Sequence, residues 1–174
     1  PSVGWRLYWL IPEASGSQKL EIRSRKSEVG SRKSEVGSRK SEFCLENDWV
    51  CAEVDPDTGE LRSLVDKVTQ RNVVRSPANQ LQAFADAGQY WDAWDIAPNY
   101  QDCPLPAAAV ESIEWLEQGP LRQRLRVVRR MADSRIQQDY GLDCSQPYLQ
   151  VATVADWQAC QVVLKAAFLV DFEG

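Results

Sequence analysis

Short stretches that alternate apolar and polar residues with a period of two recur along this chain, and they predict strands. In CLENDWVCAEV (residues 44–54), Val50, Ala52 and Val54 alternate with Cys51 and Glu53. DPDTGE (55–60) follows as a tight turn, with Gly59 where a positive φ is expected. LRSLVD (61–66) is the return strand, so the three segments predict a hairpin. Residues 121–131 place Leu121, Leu125 and Val127 on one face and Arg122, Arg124 and Arg126 on the other. After a turn at Asp133-Ser134, Ile136, Gln138, Tyr140 and Leu142 share a side. Residues 79–84, 149–157 and 162–172 read as further strands, as do residues 3–11 (VGWRLYWLI), which stop at Pro12. Residues 109–116 (AVESIEWL) suit a strand or a short helix, ended by Gly119-Pro120. Some eight or nine strands with short turns and no long helix predict an all-β, antiparallel β-sandwich.

One segment breaks this pattern. SRKSEVG occupies residues 24–30, recurs at 31–37 and begins again at 38–42. A seven-residue period suggests a coiled coil, yet each copy has one valine where a seam needs two apolar positions, and each carries a glycine. Such a segment cannot bury enough apolar surface to offset its ordering entropy. Residues 13–42 are therefore expected to be a solvated, mobile insertion, and its exact repetition suggests tandem duplication of coding sequence, tolerated because loop length costs little.

The densest chemistry lies in residues 79–100 (NQLQAFADAGQYWDAWDIAPNY), centred on Tyr90, Trp91, Asp92, Trp94 and Asp95. Flat aromatic faces cover sugar C–H surfaces at low entropy cost, and carboxylates accept hydrogen bonds from hydroxyls. The same composition also suits a plug that packs on its own or a neighbouring domain. Asp92 and Asp95 do not read as a catalytic pair, because three-residue spacing on a loop fixes no such geometry.

Composition then narrows the function classes. The chain has 174 residues, 44% hydrophobic, enough for one domain with a real core. A formal net charge of −5 argues against nucleic acid or an anionic membrane as partner, since both demand a basic surface. No apolar run approaches a spanning helix and no signal peptide opens the chain, so a cytoplasmic protein is expected. Five cysteines, never spaced as C-x-x-C, do not suit a secreted disulfide framework. There is no histidine, which removes the commonest general base and metal ligand; no metal site is expected within these residues. Asp55 and Asp57 suggest the start of a calcium loop, but Gly59 and Glu60 stand where that loop needs an oxygen ligand and a glycine. The row of arginines at 122–126 reads as a solvated face paired with Glu111, Glu114, Asp139 and Asp143. The chain begins Pro1-Ser2-Val3 and still looks like strand near its end, so both ends are expected to be cuts in a longer protein.

Several motifs together, LENDWVCAEVDPDTGELRSLVDK, NQLQAF, YWDAWDI, GPLRQRLRVVRR, DSRIQQD and ADWQ with LKAAFLVDF, resemble the C-terminal β-sandwich region of glycoside hydrolase family 38 α-mannosidases of the cytosolic and bacterial type. The likeness covers nearly everything outside residues 18–41 and keeps the family's order. It implies a partial, galactose-mutarotase-like supersandwich over residues 43–174, with residues 1–12 ending a preceding small β domain. It also implies a longer polypeptide with a catalytic barrel that hydrolyses terminal α-linked mannose. In that family a barrel aspartate is the nucleophile, a second carboxylate is the acid/base, and zinc is held by histidines and aspartates. None of those motifs occurs here, so no catalytic or metal residue is carried over and no cofactor is expected in these residues. The partners implied are the barrel of the same polypeptide and a mannose-containing glycan. The alternative is a stand-alone carbohydrate-binding or assembly module without hydrolase activity.

Overall fold

The computed structural model describes residues 5–7, 42–87 and 95–171. Within them the chain forms strands β1 (Trp5–Leu7), β2 (Cys44–Glu46), β3 (Val50–Val54), β4 (Leu61–Asp66), β5 (Arg71–Asn72) and β6 (Val74–Ala85). A 3₁₀ turn over Tyr100–Asp102 follows, then β7 (Ala109–Gln118), β8 (Arg122–Met131), β9 (Ser134–Asp143), β10 (Gln150–Asp156) and β11 (Val162–Val170). One sheet has the order β1-β10-β9-β8-β7; the other runs β11-β6-β4-β3-β2, with β5 beside β4. Every pairing is antiparallel. The all-β sandwich expected from the alternation is what the chain folds into.

The core shows why period two decides this fold. Leu45, Val50, Ala52, Val54 and Leu61 from one sheet meet Leu125, Val127, Tyr140, Leu142 and Val151 from the other, all buried. Each of the leucine and valine side chains stabilises the fold by about 1.5–3 kcal/mol when fully removed from water. The 55–60 turn forms as expected, with Gly59 at φ +68. Asp55 Oδ1 accepts from the backbone N–H of Asp57 at 2.8 Å and Thr58 at 3.1 Å, while Oδ2 takes Arg62 at 2.5 Å. Burial raises the Asp55 pKa, but these donors outweigh it and hold the carboxyl below its ordinary range. A Cβ at Gly59 would also collide with Val127 Cγ1, so this position needs glycine for space as well as for φ.

Several details differ from the expected pattern. Residues 109–116, compatible with strand or helix, are strand, paired along β8 with two register shifts. The strand expected at 79–84 extends over Val74–Ala85 and bends at Asn79, whose φ is 57°. Leu121, assigned to the buried face, is 75% exposed because it lies before β8 begins. The arginine face does pair across strands, Arg126 and Arg124 with Asp139, Arg122 with Asp143, and Arg130 and Arg135 with Glu111. Arg129, however, has the parity of Leu125 and Val127, points inward and is 2% exposed. Residues 13–41 of the expected insertion lie outside the described residues.

Candidate functional site

The described residues that flank the aromatic stretch, the end of β6 and residues 95–105, lie side by side. Leu105 N–H donates to Ala83 O at 2.8 Å and Ala85 N–H to Cys103 O at 2.9 Å, with an antiparallel bridge between Phe84 and Pro104. Asp86 ties the two ends together: its Oδ1 accepts from Ala97 N–H at 3.0 Å, and its own N–H donates to Gln161 O at 2.7 Å. Tyr100 stands edge-on to Phe84, ring centroids 5.2 Å apart at 89°, and its hydroxyl accepts from Lys165 Nζ. Lys165 thus meets Tyr100 at its hydroxyl edge, so a hydrogen bond carries the contact. Beneath this base, Leu81, Ala83, Met131 and Ile136 form a second apolar cluster that Leu105, Trp157 and Leu164 cover. A base with this many backbone ties and an apolar floor is stiff.

Of the residues expected to form a substrate rim or domain contact, Tyr90, Trp91, Asp92 and Trp94 lie outside the described residues. Asp95 is described, at the returning end, and both it and Ile96 are exposed. An exposed carboxylate there can accept hydrogen bonds from hydroxyls or from a neighbouring domain.

Two groupings were missed in the sequence. The first is a buried polar network around the 55–60 turn. Arg129 donates to Thr58 O at 2.9 Å, to Gly59 O, and to Gln138 Oε1 at 2.6 Å. Tyr140 Oη donates to Gly59 O at 2.9 Å and accepts from Asn79 Nδ2 at 2.5 Å. Burial pushes the Tyr140 phenol pKa up, against the pull of Arg129. This network pins a turn of one sheet to the strands of the other. The second is Cys44, Cys51 and Glu46 on the β2–β3 hairpin, whose thiol and carboxylate atoms all lie within 4.8 Å of one another. Burial, then the neighbouring Cys51, pushes the Cys44 pKa up to about 12, so the thiol is protonated at neutral pH and is a poor nucleophile. The sequence offered no signal for it, because 44–54 read as one arm of a hairpin with 61–66, whereas the chain turns at residues 47–49 and pairs β2 with β3.

Two antiparallel sheets closed on two apolar clusters, with a tied loop base at one end, define an all-β sandwich domain. The chain belongs to glycosyl hydrolase family 38: the profile described as "Glycosyl hydrolases family 38 C-terminal domain" matches residues 45–174. It is similar to human alpha-mannosidase 2C1, 30% identical over 128 residues, which is 71% of this chain and 12% of that protein. Mouse alpha-mannosidase 2C1 shows the same identity and coverage. This chain therefore spans about an eighth of the length of the relatives it matches. No helix among the described residues is long and apolar enough to cross a membrane.

Proposed function

We propose that this domain is the non-catalytic C-terminal sandwich of a retaining α-mannosidase that removes terminal α-linked mannose from glycans. It buttresses the catalytic barrel of the same polypeptide and presents the Tyr90–Asp95 stretch to the active-site rim or to the barrel surface. Membership of family 38 supports the hydrolase assignment, and the stiff base at Ala83–Leu105 and Asp86–Ala97 supports a presenting role for the loop. Retention requires two carboxylates about 5 Å apart and a covalent glycosyl intermediate; both carboxylates are assigned to the barrel. The catalytic zinc implied by the family resemblance is assigned to the barrel, because the histidines that hold it there are missing from this chain. No step of the reaction is routed through this domain. The five cysteines form no disulfide, which supports a reducing, cytoplasmic compartment.

The test compares the 174-residue chain with the whole enzyme. The chain alone is expected to release no sugar from an aryl α-mannoside. In the whole enzyme, Trp91→Ala is expected to reduce kcat/KM by about tenfold or more while leaving the melting temperature of this chain within a few degrees. Turnover by the chain alone, or a Trp91→Ala enzyme with unchanged kinetics, would overturn the corresponding half of the proposal.

A further inference from the structure

The β2–β3 hairpin carries donor atoms that the proposed function does not use. Leu45 and Ala52 are fully buried, so strand alternation sets Cys44, Glu46, Cys51 and Glu53 together on the opposite side. The register pairs Cys44 with Glu53 and Glu46 with Cys51, which leaves the two thiols on a diagonal, Sγ to Sγ 3.5 Å. A tetrahedral ion with Zn–S bonds of about 2.3 Å separates its two sulfurs by roughly 3.8 Å. The thiols therefore stand close to the edge length that such an ion requires. A disulfide would need them to close to about 2.05 Å.

We infer that Cys44, Cys51 and Glu46 form a binding site for a thiophilic divalent cation, Zn²⁺ foremost, with a fourth position open to solvent. A donor set of two sulfurs and one carboxylate oxygen selects Zn²⁺ over Mg²⁺ or Ca²⁺, which take oxygen. Glu53, directly across from Cys44, adds negative charge to the same patch. The frame is fixed on both sides. Lys67 Nζ donates to Glu46 Oε1 at 3.0 Å and to Asn47 O at 2.7 Å, which orients the carboxylate in the manner of outer-sphere partners at metal sites. Gln123 grips the Glu46 backbone twice, Oε1 accepting from its N–H at 2.9 Å and Nε2 donating to its C=O at 2.8 Å. Cys44 also borders a cleft of about 220 Å³ walled by Trp115, Gln118 and Gln123. The site is independent of the mannosidase proposal, since it lies on this domain's own hairpin and uses none of the loop residues.

The experiment titrates the reduced, metal-free chain with Zn²⁺ and, as a spectroscopic probe, with Co²⁺. The expected result is saturable binding of about one ion per chain, a thiolate-to-cobalt charge-transfer band, and a higher melting temperature with Zn²⁺. Cys44→Ser and Cys51→Ser should each weaken binding by at least about tenfold and remove or diminish the band, and Glu46→Gln should weaken binding while the band persists. A variant with Cys103, Cys144 and Cys160 all changed to serine removes the three exposed thiols and should bind as the unmodified chain does. Absence of stoichiometric binding in the unmodified chain would overturn the inference. So would binding that survives in Cys44→Ser and Cys51→Ser but disappears in the triple variant, which keeps the hairpin intact and does not depend on the folding of either single variant.

Discussion

Replacing Arg129 with methionine tests whether the buried guanidinium is structural. It is 2% exposed and donates to Thr58 O, Gly59 O and Gln138 Oε1, without a carboxylate within ion-pair distance among the described residues. Methionine keeps most of the stem's packing. Three charge-assisted hydrogen bonds are lost, each worth about 1.5–3 kcal/mol. Two effects offset much of that. Removing an unpaired guanidinium from the interior relieves its desolvation, and none of the three acceptors is stranded. Thr58 is exposed and its carbonyl can recruit water, Gly59 O keeps Tyr140, and Gln138 Oε1 keeps Asn79 at 3.2 Å. The net loss should be about 2 kcal/mol. Tyr140→Phe alone removes two neutral hydrogen bonds, the one to Gly59 O, which then keeps Arg129, and the one from Asn79 Nδ2, which then keeps Gln138 Oε1, and should cost about 1–2 kcal/mol.

The double variant separates this reasoning from simple bond counting. With both donors gone, Gly59 O is a buried acceptor without a partner, which costs a further ~1–3 kcal/mol that neither single change incurs. Urea denaturation should therefore show a double variant less stable than the sum of the two single losses, with an unchanged m-value. Additive losses within about 0.5 kcal/mol would refute the claim that Gly59 O is shared between these two donors.

Two further outcomes follow from the ladder of β8 and β9. Partial burial raises the Asp139 pKa, but Arg126 at 2.7 Å and Arg124 at 3.1 Å outweigh it and hold the carboxyl below its ordinary range. A depressed carboxyl stabilises the fold above its unfolded pKa of about 3.9 and loses that contribution as pH falls through the folded value. Asp139→Asn should thus lower stability near neutral pH by about 2 kcal/mol, with the gap from the unmodified chain closing below about pH 4 in a urea titration series; a pH-independent gap would contradict this. At the two-residue turn between these strands, Ala132 has φ +50, a left-handed conformation that costs an L-residue about 1 kcal/mol. Ala132→Asn should raise the urea midpoint, by about 0.5 kcal/mol of stability, and a lower midpoint would count against strain at this turn.

What the sequence disclosed and what it withheld divide along one physical line. Alternation of period two identified β3, β8 and β9, because burial on one face acts on every second side chain; β4 was read as the return arm of a hairpin, and β10 and β11 from their strand-favouring composition. The DPDTGE turn was legible for a similar reason, its residue types being dictated by local φ and by hydrogen bonds within six residues. Arg129 was legible in principle. Continuing the series Leu125, Val127 puts it inward, and only the partners on β9 and in the 55–60 turn make the burial of a guanidinium tolerable. Those partners are 9 to 71 residues away in sequence. The Cys44, Glu46 and Cys51 group depended likewise on a register that places residues 44 and 51 on a diagonal, whereas chain spacing alone gave no metal signature. The tied base of the aromatic stretch also required tertiary contacts, since Asp86 reaches Ala97 across eleven positions and Tyr100 reaches Lys165 across sixty-five. Features set by one strand's own neighbours were therefore readable, while features set by which strands adjoin were not, and the candidate sites of this domain belong to the second kind.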